Sequence, residues 1–491
     1  MSDNQSIHLT SNQNNAIIVT MTNWLPNLSE GTGPLYQRLA DSIEAAIDGG
    51  SLAPGDKLPP QRNLAFDIGV TLGTVSRAYA LVHERGLVAG EVGRGTYVRE
   101  RGNGGEPSPA SPLNHELRSG RSLDPPDGKL RFDSTGAADV GQADLIERVL
   151  AQVVAEHPAE ITNYARNAPA HWQEAGVRWL SRQGFSPEAE DVVFTQGAHS
   201  AIMAVVTAVT SPGDKVLFES LTYTHIARAL GLTGRRVIAS EIDEEGLVPE
   251  DFERVCQQQH PAIAFLMPSA HNPSLAVMSL GRRRAIAEIA RRHNVMLIED
   301  DIYGVLTRPD IPMLATLAPE RTFVVSGFAK AVAAGLRGGW VACPPNMSTR
   351  VRVAQKMLTG GLAFLLAESS ARLVLSGEAE AIRRDVAAEL SARHAIVLES
   401  LAGHSLRSTS QIPFFWLDLP EPWLSGTFKA AAFEAGVLID DEDEFKAGRP
   451  DRVLHKVRVG FSNHRREDVR RGMALLRSLL DGGLSGYEGG I

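Results

Sequence analysis

Lys330 is the residue whose surroundings in the sequence most clearly suggest chemistry. It follows an apolar segment that ends at Ser326-Gly327, and Arg337 comes seven residues later in a glycine-rich segment. A lysine is rarely buried unless its charge is paired or its amine reacts. Lys330 is therefore either a solvated cation at the start of a helix or the reactive amine of a buried site.

A pyridoxal phosphate site needs a short set of parts, and a reactive lysine is one of them. The lysine amine forms a Schiff base, and a carboxylate keeps the pyridine nitrogen protonated so that the ring accepts electrons. Donors hold the ring oxygen, an aromatic side chain covers one ring face, and a helix N-terminus with a cation holds the phosphate. Residues of these types occur in the sequence as Tyr223, Asn272, Asp300, Tyr303 and Arg337.

Each residue alone also has an ordinary structural interpretation. Asp300 would be a strand-end carboxylate in a salt bridge, and Tyr223 would be half-buried packing. Lys330 would be a solvated helix cation, and Arg458 would be a cross-strand ion-pair residue. Their joint appearance, in order and at predicted strand ends, favours a cofactor site.

The elements that position these residues begin at about Gly128, where apolar segments alternate with amphipathic helices. Seven segments are predicted to be strands: DVVFTQG, KVLFES, RRVIASEI, AIAFLMPS, VMLIEDD, TFVVSG and GGWVACP. Strands separated by helices predict a mostly parallel sheet covered on both faces, with ligands at the carboxyl ends of the strands. After about Thr349, FFWLDLP and HKVRVGFS predict a smaller α+β domain.

From Tyr164 onward the chain resembles the fold-type I aminotransferases, in the branch fused to GntR modules that is called MocR-type regulators. The motifs that carry the resemblance are VFTQGAHSAI, FESLTYTHI, PSAHNPS, LIEDDIYG, SGFAK, GLRGG and VRVGFS. The resemblance implies that pyridoxal phosphate is bound as an aldimine of Lys330. It implies further cofactor contacts from Gly197, Ala198, His199, Tyr223, Asn272, Asp300, Tyr303 and Arg337. It also implies a carboxylate anchor at Arg458 and a homodimer in which Tyr164 reaches the neighbouring subunit's phosphate.

Two departures from the family pattern bear on activity. The family places hydroxyl residues three positions and one position before the lysine, where this chain has Gly327 and Ala329. Near Tyr164 the usual Gly-x-x-x-Leu-Arg pattern is replaced by APAHWQE. We expect looser phosphate binding and a reshaped entrance, which favours a sensor over a catalyst.

Residues 33–101 read as short helices followed by a hairpin, which describes a winged helix-turn-helix. This segment resembles the GntR-type DNA-binding domain. A helix that starts near Thr71 would present small and hydroxyl side chains to the major groove. The predicted DNA contacts are Lys57, Arg62, Thr71, Leu72, Gly73, Thr74, Ser76, Arg77 and, in the minor groove, Arg94. A helical domain without DNA function is the alternative.

The DNA-binding segment has eight Lys/Arg and eight Asp/Glu, so it carries no net positive charge. One such module should bind DNA weakly, and a dimer that reads two half-sites is expected. The arginines of 282–284, 291–292 and HRREDVRR are interpreted as solvated helix faces, with docking to the DNA modules or DNA contact as the alternative.

Composition and length set the remaining expectations. At 491 residues with a net charge of −9, the chain is expected to have two or three domains and no wholesale coating by nucleic acid. Cys256 and Cys343 lack CxxC spacing, which predicts no metal site and a reducing, cytoplasmic setting. No segment predicts a signal peptide or a membrane span. We expect a disordered tail (1–32), a Pro/Gly/Ser-rich linker (102–127) and an aminotransferase-like domain (128–485).

The favoured interpretation is a transcriptional regulator that senses an amine or amino-acid effector through its cofactor site. The alternative is a working aminotransferase acting on a 2-amino acid, since Lys330, Asp300 and Arg458 are all present. A third possibility is that pyridoxal phosphate itself is the signal.

Overall fold

The computed structural model describes residues 24, 26, 34–91, 95–99 and 128–482, apart from 166–167, 183, 362 and 449–452. The chain divides into two compact units, Met1–Arg121 and Ser122–Ile491. The predicted linker lies outside the described residues, as does the predicted tail apart from residues 24 and 26. Each unit is described by itself below.

The first unit is a winged helix-turn-helix, as predicted. Its elements are α1 (Leu35–Asp48), α2 (Gln61–Asp67), α3 (Leu72–Glu84) and the antiparallel strands β1 (Val88–Glu91) and β2 (Gly95–Val98). A short turn joins α2 to α3, and α3 runs into the hairpin through a second turn at Arg85-Gly86.

One face of α3 forms the centre of this unit's core. Val75, Ala78, Tyr79 and Val82 are buried at helical spacing against residues of α1, α2 and the hairpin. The Tyr79 hydroxyl donates to the Pro59 carbonyl oxygen at 2.7 Å, which fixes the connection before α2 against α3. The opposite face of α3 is thereby left to the solvent.

The second unit contains three groups of paired strands, with a short antiparallel pair beside them. The strands are β3 (Leu130–Arg131), β4 (Val192–Thr195), β5 (Lys215–Glu219), β6 (Arg236–Ser240), β7 (Ile242–Asp243), β8 (Gly246–Leu247), β9 (Ile263–Leu266), β10 (Met296–Asp300), β11 (Thr322–Gly327), β12 (Gly339–Ala342), β13 (Leu406–Arg407), β14 (Phe414–Asp418), β15 (Val437–Leu438), β16 (Asp440–Asp441) and β17 (Lys456–Gly460).

The large sheet has seven strands in the order β4-β12-β11-β10-β9-β5-β6. Strand β12 is antiparallel to both its neighbours, and the other neighbouring pairs are parallel. All seven predicted strands are present, and the prediction of a mostly parallel sheet is confirmed. The carboxyl ends of six strands therefore meet at one edge, where β12 begins.

Helices pack on both faces of this sheet and around the strands of the smaller region. They are α4 (Ala143–Glu156), α5 (Pro158–Thr162), α6 (Ala170–Leu180), α7 (Ala198–Val209), α8 (Thr224–Leu232), α9 (Pro249–Gln259), α10 (Leu280–Arg292), α11 (Gly304–Thr307), α12 (Leu314–Leu317), α13 (Ser348–Thr359), α14 (Phe364–Ser376), α15 (Glu378–Ser400), α16 (Ser425–Glu434) and α17 (Arg466–Gly482). Val324 and Val325 of β11 belong to different core clusters, because alternate strand residues face opposite sides.

The smaller α+β region was also predicted. Its antiparallel sheet has the order β13-β14-β17-β16, so Arg458 of β17 lies between Trp416 and Asp440. Strand β3 pairs in parallel with β15, which ties the start of the second unit to this region.

The expectation that the arginines of 282–284 lie on a solvated face is wrong for Arg283. This side chain is fully buried, and its guanidinium donates to the carbonyl oxygens of Met278, Pro312 and Pro268. The reason is periodicity, because Arg283 precedes the buried Ile286 by three residues and lies on the same helix face. Among the described residues, no helix is long and apolar enough to cross a membrane.

Candidate cofactor site and DNA-binding surface

Asp300 is the last residue of β10, at the edge where the strand carboxyl ends meet. Its side chain is buried, and Oδ1 accepts a hydrogen bond from the Ile302 backbone N–H at 3.0 Å. Burial and, to a smaller extent, the Asp301 charge raise the pKa of Asp300 to about 7, although the Ile302 N–H and the Lys330 charge oppose the shift. The ionised form of a carboxyl group buried in this way is stabilised by a cationic partner.

Lys330 follows β11 by three residues and points into the same edge. Its Nζ donates to Thr135 Oγ1 at 2.9 Å and lies 5.5 Å from the centroid of the Tyr303 ring. Thr135 Oγ1 in turn lies 2.9 Å from the Tyr303 hydroxyl oxygen. The alternative of a solvated helix cation therefore does not describe Lys330, whose amine is partly buried among polar groups.

Gly197 and Arg337 lie close together near the same edge. Gly197 precedes α7 with φ of 86°, and Ala198 and His199 form the first turn of that helix, whose N–H groups have no partner within the helix. A Cβ built on Gly197 would lie 3.6 Å from Arg337 Cζ. Burial and, to a smaller extent, the Arg337 charge lower the pKa of His199, which favours the neutral imidazole. A helix N-terminus beside a guanidinium is a typical phosphate site.

Gly327 is one of the two departures from the family pattern, and packing accounts for it. A Cβ at this position would lie 2.7 Å from the carbonyl oxygen of Gly338, across the β11–β12 pair. A serine at this position would collide with backbone. The neighbouring Phe328 fills the core beneath, in edge contacts with Trp179 and Trp340 at 4.9 and 5.4 Å between ring centroids.

Asn272 and Arg458 are brought together, but not as two open ligand groups. Arg458 Nη1 donates to Asn272 Oδ1 at 2.8 Å, and Nη2 and Nε donate to Asp440 Oδ2 at 2.5 and 3.1 Å. All three side chains are buried. The cross-strand ion pair that the sequence left open as an alternative for Arg458 is present.

The two remaining predicted cofactor residues have contacts of a different kind. Tyr223 is half-buried at the start of α8, with its ring stacked on His225 at 5.1 Å. Tyr164 is 92% exposed and lines a cavity of about 560 Å³ with residues such as Trp172 and Lys356. Tyr164 therefore lies on the surface of this chain.

Sequence reasoning missed two residues that contact the predicted set. Thr135 accepts from Lys330, and Asp440 binds Arg458. Thr135 lies 195 positions before Lys330, and no local motif marks it. Asp440 belongs to the acidic run DDEDE, and its pairing could have been found only from the register of β16 against β17.

In the first unit, α3 presents a polar face to the solvent. Thr71 caps the helix, and its hydroxyl accepts from the Thr74 backbone N–H at 3.2 Å. Gly73, Ser76 and Arg77 are exposed on the side opposite the buried residues of α3. Small and hydroxyl residues at a helix start allow close approach to base edges and phosphates.

For the other four predicted DNA contacts, the structure gives the position of three in the fold and does not describe the fourth. Lys57 is half-buried before α2, with Nζ 5.7 Å from the Tyr97 ring centroid. Arg62 lies in α2, and Leu72 is the first residue of α3. Arg94, predicted at the wing turn, lies outside the described residues.

Two family models match the chain, one on each unit. The model for bacterial regulatory proteins of the gntR family matches residues 35–98, and the model for aminotransferase class I and II matches residues 134–474. The fold and the two matches define a gntR-family winged helix-turn-helix module fused to an aminotransferase-like domain. The chain belongs to the aminotransferase class I and II family by its larger part, and the gntR-family module that precedes this part gives it the two-module MocR architecture.

Relatives and solved structures agree with this architecture. The chain is 28% identical over 465 residues to the HTH-type transcriptional regulator YdeF of Bacillus subtilis, covering 93% of this chain and 97% of YdeF. It is 28% identical over 324 residues to the vitamin B6 salvage pathway transcriptional repressor PtsJ of Salmonella typhimurium, covering 65% and 70%. The α-aminoadipate aminotransferase LysN of Thermus thermophilus superposes with a TM-score of 0.66 at 21% identity, covering 77% of this chain and 96% of LysN.

The residues of this site fit pyridoxal phosphate, on which the aminotransferase family depends. Asp300 is a buried carboxylic acid whose pKa burial raises to about 7, and a protonated ring nitrogen would supply the positive charge that stabilises its ionised form. The glycine contact at the start of α7 leaves room for a phosphate beside Arg337. Pyridoxal phosphate supplies an electron-accepting ring and a carbonyl that reacts with amines.

Proposed function

We propose that this protein is a DNA-binding transcriptional regulator whose aminotransferase-like domain binds pyridoxal phosphate through the Lys330 amine. The observation that carries the proposal is the contact of a partly buried lysine with Thr135 beside the buried Asp300, in a chain that also carries an exposed reading helix. Bound cofactor lets the domain respond to an amine or amino-acid effector, and that response alters DNA binding.

In this proposal each residue has a defined task. Asp300 balances the charge of the ring nitrogen, Arg337 and the N-terminus of α7 hold the phosphate, and Tyr303 with Thr135 orients the Lys330 amine. Tyr223 covers a ring face and Asn272 donates to the ring oxygen, as the family resemblance implies. Tyr164, exposed in a single chain, reaches the phosphate of a second subunit in a homodimer.

The effector acts on DNA binding only if it favours one conformational state over another. The dimer positions two α3 helices on two half-sites, and the effector changes their spacing through the connection between the two units. Regulation by the cofactor itself is the nearest variant of this mechanism, because the relative PtsJ is named for vitamin B6 salvage.

The test uses the full-length protein and a DNA fragment selected from random sequence by that protein. Pyridoxal phosphate should produce an absorbance band that is lost in Lys330→Ala and kept in Lys129→Ala, a lysine whose amine contacts Phe433 instead. DNA affinity should then change on adding cofactor alone or cofactor with an amine. A cofactor band retained by Lys330→Ala, or DNA affinity indifferent to every addition, contradicts the proposal.

A turnover aminotransferase is the second candidate, favoured by the coexistence of Lys330 and the buried Asp300. It predicts formation of keto acid and pyridoxamine phosphate from amino acids, with multiple turnovers when a 2-oxo acid acceptor is present. Single or absent turnover together with altered DNA affinity supports the regulator.

A further inference from the structure

The guanidinium of Arg458 is already bound by groups of this chain. Besides its bonds to Asp440 and Asn272, Nη2 donates to the carbonyl oxygen of Asp133 at 3.3 Å. Among the described residues, these contacts use four of the five N–H donors of the side chain. The side chains of Arg458 and Asp440 are each 4% exposed, so water does not separate them.

An α-carboxylate that approached Arg458 would meet two obstacles. Binding in the usual two-pronged geometry needs two free N–H donors on the guanidinium, and Asp440 occupies the pair formed by Nε and Nη2. The ligand would also bring a second negative charge beside a buried carboxylate that already balances the arginine. Like charges repel strongly where water is excluded.

Aromatic side chains connect the surroundings of Lys330 to those of Arg458. The Tyr303 ring lies beside the Lys330 amine, and its centroid is 5.4 Å from that of Phe414 in an edge contact. Arg458 Cζ lies 5.4 Å from the Phe414 centroid and 4.6 Å from that of Phe445. Tyr303 and Phe414 share a buried apolar cluster with Ala270, Leu275, Ile302 and Ile412. A ligand with an apolar or aromatic group is compatible with these aromatic neighbours.

We infer that the ligand of this site is a primary amine with an apolar or aromatic tail and no α-carboxylate, and that Asp440 is the residue that excludes α-amino acids. The inference rests on the proposed function, since the ligand amine is recognised at the cofactor that Lys330 holds. Asp440 thereby determines ligand specificity, because its ion pair with Arg458 prevents this arginine from binding an α-carboxylate.

The test compares 2-phenylethylamine with L-phenylalanine, which differ by the α-carboxylate alone. Full-length protein loaded with pyridoxal phosphate is titrated with each, and the absorbance of the bound cofactor reports the dissociation constants. The amine should bind at least about tenfold more tightly to the unaltered protein. Asp440→Asn removes the negative charge that balances Arg458. The ratio of the dissociation constants of phenylalanine and the amine should therefore fall by at least about tenfold.

Asp418→Asn is the matched control. Asp418 lies in the same sheet, and its carboxylate pairs with Lys456 at 2.7 Å instead of Arg458, so the ratio should stay unchanged. If Asp440→Asn does not fold, Asp440→Ser and the ratio for the unaltered protein carry the test. Phenylalanine binding as tightly as the amine, or neither ligand changing the cofactor absorbance, overturns the inference. Absence of the cofactor band itself counts against the proposed function instead.

Discussion

Gly197 and Gly339 touch backbone to backbone, because a Cβ on Gly339 would lie 2.8 Å from Gly197 Cα. This contact joins the first residue of β12 to the residue that precedes α7. It sets how closely the N-terminus of α7 approaches Arg337. The proposed phosphate site therefore depends on two glycines that carry no functional group.

Gly339→Ala should weaken pyridoxal phosphate binding by about tenfold or more, because the new methyl group pushes Gly197 and the first turn of α7 away from Arg337. Equilibrium titration of cofactor-free protein measures the effect. Gly335→Ala is the matched control, since a Cβ there meets no atom within 4 Å. Equal affinities for the two variants would show that this glycine contact does not shape the site.

Gly327→Ser restores the hydroxyl that related aminotransferases carry, yet it should destabilise the protein by about 1–3 kcal/mol. The added Cβ would approach the Gly338 carbonyl oxygen to 2.7 Å, and neither backbone can move without breaking the β11–β12 ladder. Urea unfolding measures the loss. Ala329→Ser restores the second hydroxyl in a half-buried position and serves as the comparison. A serine at 327 that costs no more than the one at 329 would refute this explanation of the glycine.

The stability of the cofactor-free protein should depend on pH through Asp300. Burial raises the pKa of Asp300 to about 7, above the value of about 3.9 for an exposed aspartate. Between these values the folded protein retains a proton that the unfolded chain has released, so this group's contribution to stability falls as pH rises. Asp300→Asn removes the contribution.

The difference in unfolding free energy, Asp300→Asn minus the unaltered protein, should therefore increase as the pH rises from about 4 to about 7. The gain is at most about 1.4 kcal/mol per pH unit for one proton. Urea unfolding of both proteins at about pH 5 and at about pH 7 gives this difference at each pH. If the difference is the same at both values, Asp300 does not titrate in this range.

Arg77→Ala should weaken binding to selected DNA by roughly tenfold and lower the salt slope of log K by about 1. The side chain is exposed on α3, with Cζ 6.0 Å from the Tyr36 ring, and its charge is free to meet a phosphate. Fluorescence anisotropy over a range of salt concentrations measures both quantities. Arg99→Ala removes an exposed cation outside α3 and should leave the slope unchanged. A slope that responds equally to both variants would argue against α3 as the reading helix.

The sequence predicted the parts of this molecule that local patterns determine. The seven strands were visible as apolar segments, and Asp300 and Lys330 were correctly assigned to strand ends at one edge of the sheet. Contacts that join distant segments were not visible. Asp440 meets Arg458 only through strand register, and Thr135 reaches Lys330 across 195 positions.

Arg283 shows a different kind of failure. Its charge favours solvent, yet its position on the helix places it inside, and three carbonyl oxygens compensate for the lost water. Charge type and helical period gave opposite predictions here, and the period was decisive.

The antiparallel course of β12 has a consequence for how this site can vary. Residues 328–338 leave the sheet at Gly327 and return at Gly339, which are paired directly across the ladder. Lys330 and Arg337 therefore sit on one closed loop with both ends fixed. An insertion or deletion between Lys330 and Arg337 would change the distance between the two proposed attachment points of the cofactor, whereas a substitution would leave that spacing unchanged.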